Sequence, residues 1–152
     1  MKPQDKIEHI LVAHDLGECS DDALAYAIQL AKQLHAKVTV LHAYEVPSMG
    51  APERLVLATD WVKQIGVVAG EKLEEVVSRG RALADGGVVV ASALVEGSAW
   101  REVGTFARER GVNLVVVGSR GHRALLHALL GGVAEKIVRT APCPVLVVRD
   151  DT

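Results

Sequence analysis

The chain has 152 residues, a length that suits one domain with a single two-sided core. Hydrophobic residues make up 49% of it and charged residues 24%, a composition that excludes an intrinsically disordered protein. The formal net charge is -2 and Lys and Arg are scattered, so the basic surface of a nucleic-acid-binding or membrane-surface protein is not expected.

The N-terminus, MKPQDKIEH, is charged and lacks the apolar core of a signal peptide. The apolar runs of the chain are too short to cross a bilayer. Cys19 and Cys143 form neither a disulfide framework nor a Cys-x-x-Cys pair. We therefore expect a soluble, cytoplasmic protein with two reduced thiols, and neither a membrane nor a nucleic acid as partner.

Five short apolar runs rich in Val occur at intervals along the chain. They are mostly continuous rather than alternating, a pattern typical of strands that are buried on both faces of a parallel sheet. The runs are HILVAH (9–14), KVTVLHA (37–43), GVVVASALV (87–95), NLVVVG (113–118) and PVLVVR (144–149).

Segments with helical spacing separate these runs. The first helix is predicted to begin with Ser20 as its N-cap, followed by acidic residues in its first turn. The second covers about 52–84, and Gly66 and Gly70 within it predict a break or a kink.

The third and fourth helices are shorter. The third is predicted to start near Ser98 and to close at Gly111, as a glycine C-cap would do. The fourth covers Val133 to Thr140 and is stopped by APCP.

This alternation predicts an α/β fold, a doubly wound five-stranded parallel sheet with helices on both faces. Ligands of such sheets bind at the carboxyl ends of the strands, where the winding reverses. Polar and charged residues follow the first predicted strand, in AHDLGECS, and the fourth, in GSRGH. A strand order of 3-2-1-4-5 would place both loops along one cleft.

The second of these loops is rich in glycine and predicts a phosphate site. Glycines allow a ligand to approach the main chain closely, and the open N–H groups at a helix start favour an anion. Side-chain donors lie nearby in the sequence. The candidate residues are Gly118, Ser119, Arg120, Gly121, His122, Gly131 and Gly132.

Two common nucleotide motifs are missing. The chain has no G-x-x-x-x-G-K-[ST], which excludes a P-loop NTPase of the usual kind. No G-x-G-x-x-G follows the first strand, so a standard dinucleotide fold is not expected. Taken alone, the glycines are equally compatible with a strand end and a helix start that bind nothing.

The spacing Gly118-x-x-Gly121, then nine residues, then Gly131 resembles the G-2x-G-9x-G-(S/T) signature of the universal stress protein family. ILVAHDLGECSDDAL, VTVLHAYE, GVNLVVVGSRG and CPVLVVR also resemble that family, in its order, over about 6–149. The resemblance implies an adenine nucleotide alpha hydrolase-like sheet with strand order 3-2-1-4-5. It further implies that 1–152 form one nucleotide-binding domain.

The resemblance also implies a function, a stress-response regulatory protein that binds ATP or AMP, with Mg²⁺ left open. The family's habit of pairing through the final strand implies a homodimer through Val145 to Arg149, since that edge needs covering.

Residue roles carry over by position. The glycines Gly118, Gly121 and Gly131 would wrap the ribose and phosphates, and the amide of Val133 would contribute. Asp15 would lie on the nucleoside side of the pocket, and the main chain of Ala43 would meet the adenine edge.

Gly132 departs from the signature, which has Ser or Thr at that position. A lost hydroxyl donor to a phosphate costs roughly 1.5–3 kcal/mol, so weakened binding is expected. A nucleotide-free dimeric interaction module remains the alternative, and a slow ATP hydrolase is a further one. No dedicated catalytic residues are indicated, because neither a G-x-S-x-G elbow nor a second carboxylate accompanies the loop.

Histidines end the first two strands. His14 and His42 would flank one cleft, with His122 near them, and three histidines could hold a metal ion. Histidines at strand ends more commonly make hydrogen bonds or face solvent, so no metal is expected.

Overall fold

Strands and helices alternate from one end of the chain to the other. The computed structural model describes residues 5–47, 55–120 and 130–149. The elements are β1 (His9–Ala13), α1 (Glu18–Leu34), β2 (Lys37–Tyr44), α2 (Leu55–Ala84), β3 (Val90–Glu96), α3 (Ala99–Glu109), β4 (Leu114–Gly118), α4 (Gly132–Thr140) and β5 (Val145–Val148).

The five strands form one parallel sheet in the order β3-β2-β1-β4-β5, which confirms the expected order. β1 is central and pairs with β2 on one side and β4 on the other. The winding therefore reverses between β1 and β4, and this is the position where a doubly wound sheet opens a cleft.

Helices cover both faces of the sheet, as predicted. On one face, Ile10 and Val12 of β1 pack with Leu24 of α1 and Leu73 of α2. The opposite face forms a second core, made of aliphatic side chains from β1, β2, β4, α3, α4 and the connection between α3 and β4. Its buried members are Leu11, Ala13, Leu41, Val103, Ala107, Val112, Val115, Val117, Ala134 and Ile137.

Burial separates the central strands from the edge strands. All residues of β1 and β4 are buried, as the continuous apolar runs predicted. The same prediction is wrong for β3, of which only Val90 is buried, and β5 is half-buried throughout. Edge strands have a neighbour on one side only, so the helices that cover the centre of the sheet cover them incompletely.

Two helix predictions were also wrong. α1 begins at Glu18 with Gly17 at its N-cap, and Ser20 lies inside the first turn. α2 is helical without a break through Gly66 and Gly70. The third helix agrees with its prediction, because Ser98 is its N-cap and Gly111, just beyond its end, has a left-handed φ of +63°.

None of the helices in the described parts of the chain is both long enough and apolar enough to cross a membrane.

Candidate functional site

A cavity of about 350 Å³ opens at the carboxyl ends of β1, β2 and β4. It lies where the winding of the sheet reverses, and the N-terminal ends of α3 and α4 close it on one side. Its lining residues are Ala13, His14, Asp15, Ser20, Leu41, His42, Ala43, Ala99, Val103, Val117, Gly118, Arg120, Gly131, Gly132, Val133 and Ala134.

The cavity brings together most of the residues that the sequence singled out. Asp15 follows β1, Ala43 lies near the end of β2, and Gly118 ends β4. Arg120 lies two residues after Gly118 and also lines the cavity. Gly131, Gly132 and Val133 come from the start of α4. Gly121 and His122 lie outside the described residues.

Asp15 is held in a tight turn between β1 and α1. Its Oδ1 accepts hydrogen bonds from the Gly17 amide at 2.8 Å and from the Ser20 hydroxyl at 2.7 Å. The Ser20 hydroxyl also accepts the Asp15 amide at 3.2 Å. Ser20 therefore supports the cavity carboxylate instead of capping the helix.

Gly118 is required by a close approach of two main chains. A Cβ at this position would lie 2.9 Å from both the carbonyl oxygen and the Sγ of Cys19 on α1. No side chain fits such a gap without movement of α1. The glycine thus lets the end of β4 lie directly against the first turn of α1, beside the cavity.

Ser119 does not line the cavity, although the sequence suggested its hydroxyl as a donor. The residue is buried, its amide donates to the Val148 carbonyl at 2.8 Å, and its carbonyl accepts the Gly131 amide at 2.7 Å. Its main chain joins the end of β4 to β5 and to the start of α4. Ser119 thus acts through its main chain, and its hydroxyl is not part of the cavity lining.

The start of α4 presents main-chain donors to the cavity. Gly131 is the N-cap and has no side-chain capping bond, and its carbonyl accepts the Glu135 amide at 2.9 Å. The amides of the first helical turn precede that bond and have no partner within the helix. Together with the helix dipole, they favour an anion at this end of the cavity.

His14 and His42 lie together at the cavity, as the sequence predicted. His42 Nδ1 donates to the His14 carbonyl at 2.8 Å. His14 Nε2 lies 3.0 Å from Asp21 Oδ1, and its ring is fully enclosed. Burial lowers the pKa of His14, and the hydrogen bond to Asp21 opposes that effect. Within the described residues, no group of three or more His, Cys, Asp or Glu could hold a metal ion.

Sequence reasoning missed the apolar walls of the cavity. Ala13, Leu41 and Val117 come from the ends of the three strands, and Val103 and Ala134 come from α3 and α4. These residues are indistinguishable from ordinary core positions in the sequence. Their position at carboxyl strand ends was the one available signal, and it becomes specific only when the strand order is known.

Comparison with known proteins identifies the family. The family model described as "Universal stress protein family" matches residues 6–149. The chain belongs to the universal stress protein family. Its relatives include the universal stress protein YxiE of Bacillus subtilis, which is 32% identical over 144 residues that cover 92% of this chain and 97% of YxiE.

Solved structures share the fold. The universal stress protein UspA of Lactobacillus plantarum superposes with a TM-score of 0.83 at 18% identity, covering 96% of this chain and all of that one. A universal stress protein solved in complex with cAMP has a TM-score of 0.68 at 23% identity, covering 95% and 98%. One from Archaeoglobus fulgidus in complex with dAMP has a TM-score of 0.65 at 19% identity, covering 93% and 96%.

Proposed function

We propose that this universal stress protein binds AMP or ATP in the cavity beside β1 and β4 and acts as a homodimeric, cytoplasmic stress-response regulator. The observation that carries the proposal is the meeting, in one cavity, of an anion-favouring helix start, an apolar chamber and one carboxylate. A purine nucleotide needs these three environments for its phosphates, its base and its hydroxyl or amino groups.

The phosphates are assigned to the α4 end of the cavity. The amides of Gly132 and Val133 belong to the uncapped first turn, and the Arg120 side chain lines the same cavity. A guanidinium and main-chain amides together make charge-assisted hydrogen bonds to phosphate oxygens. Gly118 and Gly131 line the same cavity.

The nucleoside is assigned to the opposite end. Leu41, Val103 and Val117 supply apolar surface for a base, and Ala43 lines the same cavity, where its main chain would meet the adenine edge. The Asp15 carboxylate accepts hydrogen bonds from hydroxyl or amino groups of the nucleoside. Support also comes from the neighbours solved with cAMP and dAMP, two adenine nucleotides with one phosphate each.

The assembly and location complete the proposal. β5 ends the sheet among the described strands, so a second copy that pairs along Val145 to Arg149 would satisfy its outer main-chain groups. The thiols of Cys19 and Cys143 are unpaired, which suits a reducing compartment such as the cytoplasm.

The test is calorimetry with AMP, ADP and ATP, together with chromatography of any nucleotide released when the purified protein is denatured. We expect Asp15→Asn to weaken binding by about tenfold, because the amide keeps an oxygen for the turn but loses the charge. Asp22→Asn is the matched control, since Asp22 is exposed on α1 and does not line the cavity. Neither heat of binding nor released nucleotide from the native chain would refute the proposal.

Gly132 favours the alternative, a dimeric interaction module of the same fold that binds no nucleotide. The family signature has a hydroxyl residue at this position, and this chain has none. A hydrolase has less support, because Asp15 is the only carboxylate among the described lining residues. Phosphate release that Asp15→Asn abolishes would establish the hydrolase instead.

A further inference from the structure

His14 is held from several directions at the rim of the cavity. Its amide donates to the Leu41 carbonyl at 2.9 Å, and its carbonyl accepts His42 Nδ1 at 2.8 Å. Its side chain has no solvent exposure although it lines the cavity wall. The main chain of His14 is therefore held by two residues of β2, Leu41 and His42.

Hydrogen bonds to the ring define its tautomer. The Leu16 amide donates to His14 Nδ1 at 2.9 Å, so Nδ1 carries no proton. The proton of the neutral ring is then on Nε2, which donates to Asp21 Oδ1 at 3.0 Å. Arg79 of α2 donates to the same oxygen at 3.1 Å and fixes the position of the carboxylate.

The Leu16 amide is part of a turn that is unfavourable for its sequence. Leu16 has a φ of +69°, in the left-handed region that a branched aliphatic residue seldom adopts. Two side chains hold the turn in this form. His14 Nδ1 accepts a hydrogen bond from the Leu16 amide, and Asp15 Oδ1 accepts one from the Gly17 amide at 2.8 Å.

We propose that His14 is a positioning residue, whose unprotonated Nδ1 holds the Leu16 amide and thereby fixes the turn that orients Asp15 in the cavity. Asp21 favours the tautomer with the proton on Nε2, and Arg79 holds the Asp21 carboxylate in position. Loss of the Nδ1 acceptor frees the turn to leave the left-handed conformation, and Asp15 then loses its orientation. The effect on affinity rests on the proposed function, whereas the effect on the turn does not.

A matched pair of substitutions separates the acceptor from the volume of the ring. His14→Asn places an oxygen near the Nδ1 position, within reach of the Leu16 amide. His14→Leu fills similar space and has no acceptor. We expect the affinity for AMP to fall by about tenfold in His14→Leu, the effect of one hydrogen bond, and to stay within about threefold of native in His14→Asn. His35→Asn, an exposed histidine at the end of α1, controls for loss of an imidazole.

Two readouts need no ligand. Amide hydrogen exchange at Leu16 is expected to be slow in the native chain and in His14→Asn, and faster in His14→Leu. Nitrogen NMR of the imidazole, at about pH 8 where histidine is neutral, is expected to show an unprotonated Nδ1 and a protonated Nε2.

The outcomes distinguish the two proposals. If the native chain binds no adenine nucleotide but Leu16 exchange follows the expected order, the proposed function fails and the role of His14 stands. Equal Leu16 exchange in the Asn and Leu variants would overturn the role of His14, and so would equal affinities of the two variants for AMP where the native chain binds it. A protonated Nδ1 in the native chain would overturn it as well, even if His14→Leu does not fold.

Discussion

At the scale of single residues, the chemistry of the site depends on main-chain geometry more than on charged side chains. Gly118 permits contact with α1, Leu16 adopts a left-handed turn, and the amides that face the cavity come from the start of α4. One carboxylate and one guanidinium among the lining residues, Asp15 and Arg120, supply the formal charge.

Gly118→Ala is expected to destabilise the protein by about 1–3 kcal/mol, the usual cost of overpacking. The added methyl would lie 2.9 Å from the Cys19 carbonyl oxygen, and main-chain atoms cannot rotate away. Urea unfolding measures the change. Gly104→Ala is the control, because a Cβ there meets nothing within 4 Å, and equal stability of both variants would contradict the packing argument.

Gly132→Ser should strengthen nucleotide binding by about tenfold or more, since a hydroxyl bond to a charged phosphate contributes roughly 1.5–3 kcal/mol. The space is available, because a Cβ at Gly132 would meet nothing within 4 Å. Calorimetry against Gly132→Ala isolates the hydroxyl from the methyl. Indistinguishable affinities in the Ser and Ala variants would show that the missing hydroxyl is not what limits binding.

Acid should destabilise the fold through two buried histidines. Burial lowers the pKa of His9 and of His14 below 6.5, with the Lys37 charge adding to the effect on His9. The unfolded chain then binds more protons, so this part of the stability is present above about pH 6.5 and is lost as the pH falls below it. Denaturant unfolding at a series of pH values measures the free energy of unfolding. Below about pH 6.5 it should fall less steeply with decreasing pH in His14→Asn than in the native chain, and an identical pH dependence would contradict this.

At the scale of elements, α2 shows how packing overrides intrinsic helix preference. Gly66 and Gly70 predicted a break, yet the helix continues through both. Tyr44 of β2 lies so close to Gly66 that a Cβ there would meet its hydroxyl oxygen at 3.0 Å, whereas a Cβ at Gly70 would meet Leu94 of β3 at an ordinary 3.4 Å. Their cost in helix propensity is offset by contacts that the sequence pattern does not reveal.

Gly70→Ala is expected to raise the free energy of unfolding by about 0.5–1 kcal/mol, the usual difference between Ala and Gly inside a helix. The new Cβ would contact Leu94 Cδ2 at 3.4 Å, an ordinary distance. Gly66→Ala should gain less or nothing, because its Cβ would lie 3.0 Å from the Tyr44 hydroxyl oxygen and the ring must shift. Thermal unfolding that ranks Gly66→Ala above Gly70→Ala would contradict this account.

At the scale of the whole molecule, the two edges of the sheet differ in what covers them. On β3, Arg81 of α2 donates to the Val90 carbonyl at 3.1 Å, so part of that edge is already bonded within the chain. The Pro144 and Val148 carbonyls accept the amides of Val115 and Ser119. The alternating residues of β5, Val145 and Val147, therefore direct their main-chain groups outward. The β5 edge is the one we expect a second copy to use.

Val147→Pro should convert the proposed dimer to a monomer, because proline removes an outward amide and leaves the bonds to β4 in place. Light scattering at micromolar concentration measures the mass, which should fall from twice 16.2 kDa to 16.2 kDa. Leu94→Pro blocks the outward amide of β3 in the same way and should leave the dimer intact. A native chain that is already monomeric would refute pairing through β5.

The sequence by itself determined the alternation of elements, the parallel sheet and the end of the sheet at which a ligand would lie. These follow from the family resemblance and from local periodicity, because the spacing of apolar residues differs between a helix with one buried face and a strand buried on both faces. The positions of Gly118 and Asp15 at strand ends could be predicted for the same reason.

Only the tertiary structure decided which polar groups meet. Ser20 bonds Asp15 instead of capping α1, Ser119 faces the interior, and the His14 ring is fixed by residues of α1 and the preceding turn. Hydrogen bonds depend on dihedral angles and on distances of a few ångströms between atoms. Those quantities are set when the helices pack on the sheet, and a one-dimensional pattern of apolar and polar residues does not contain them.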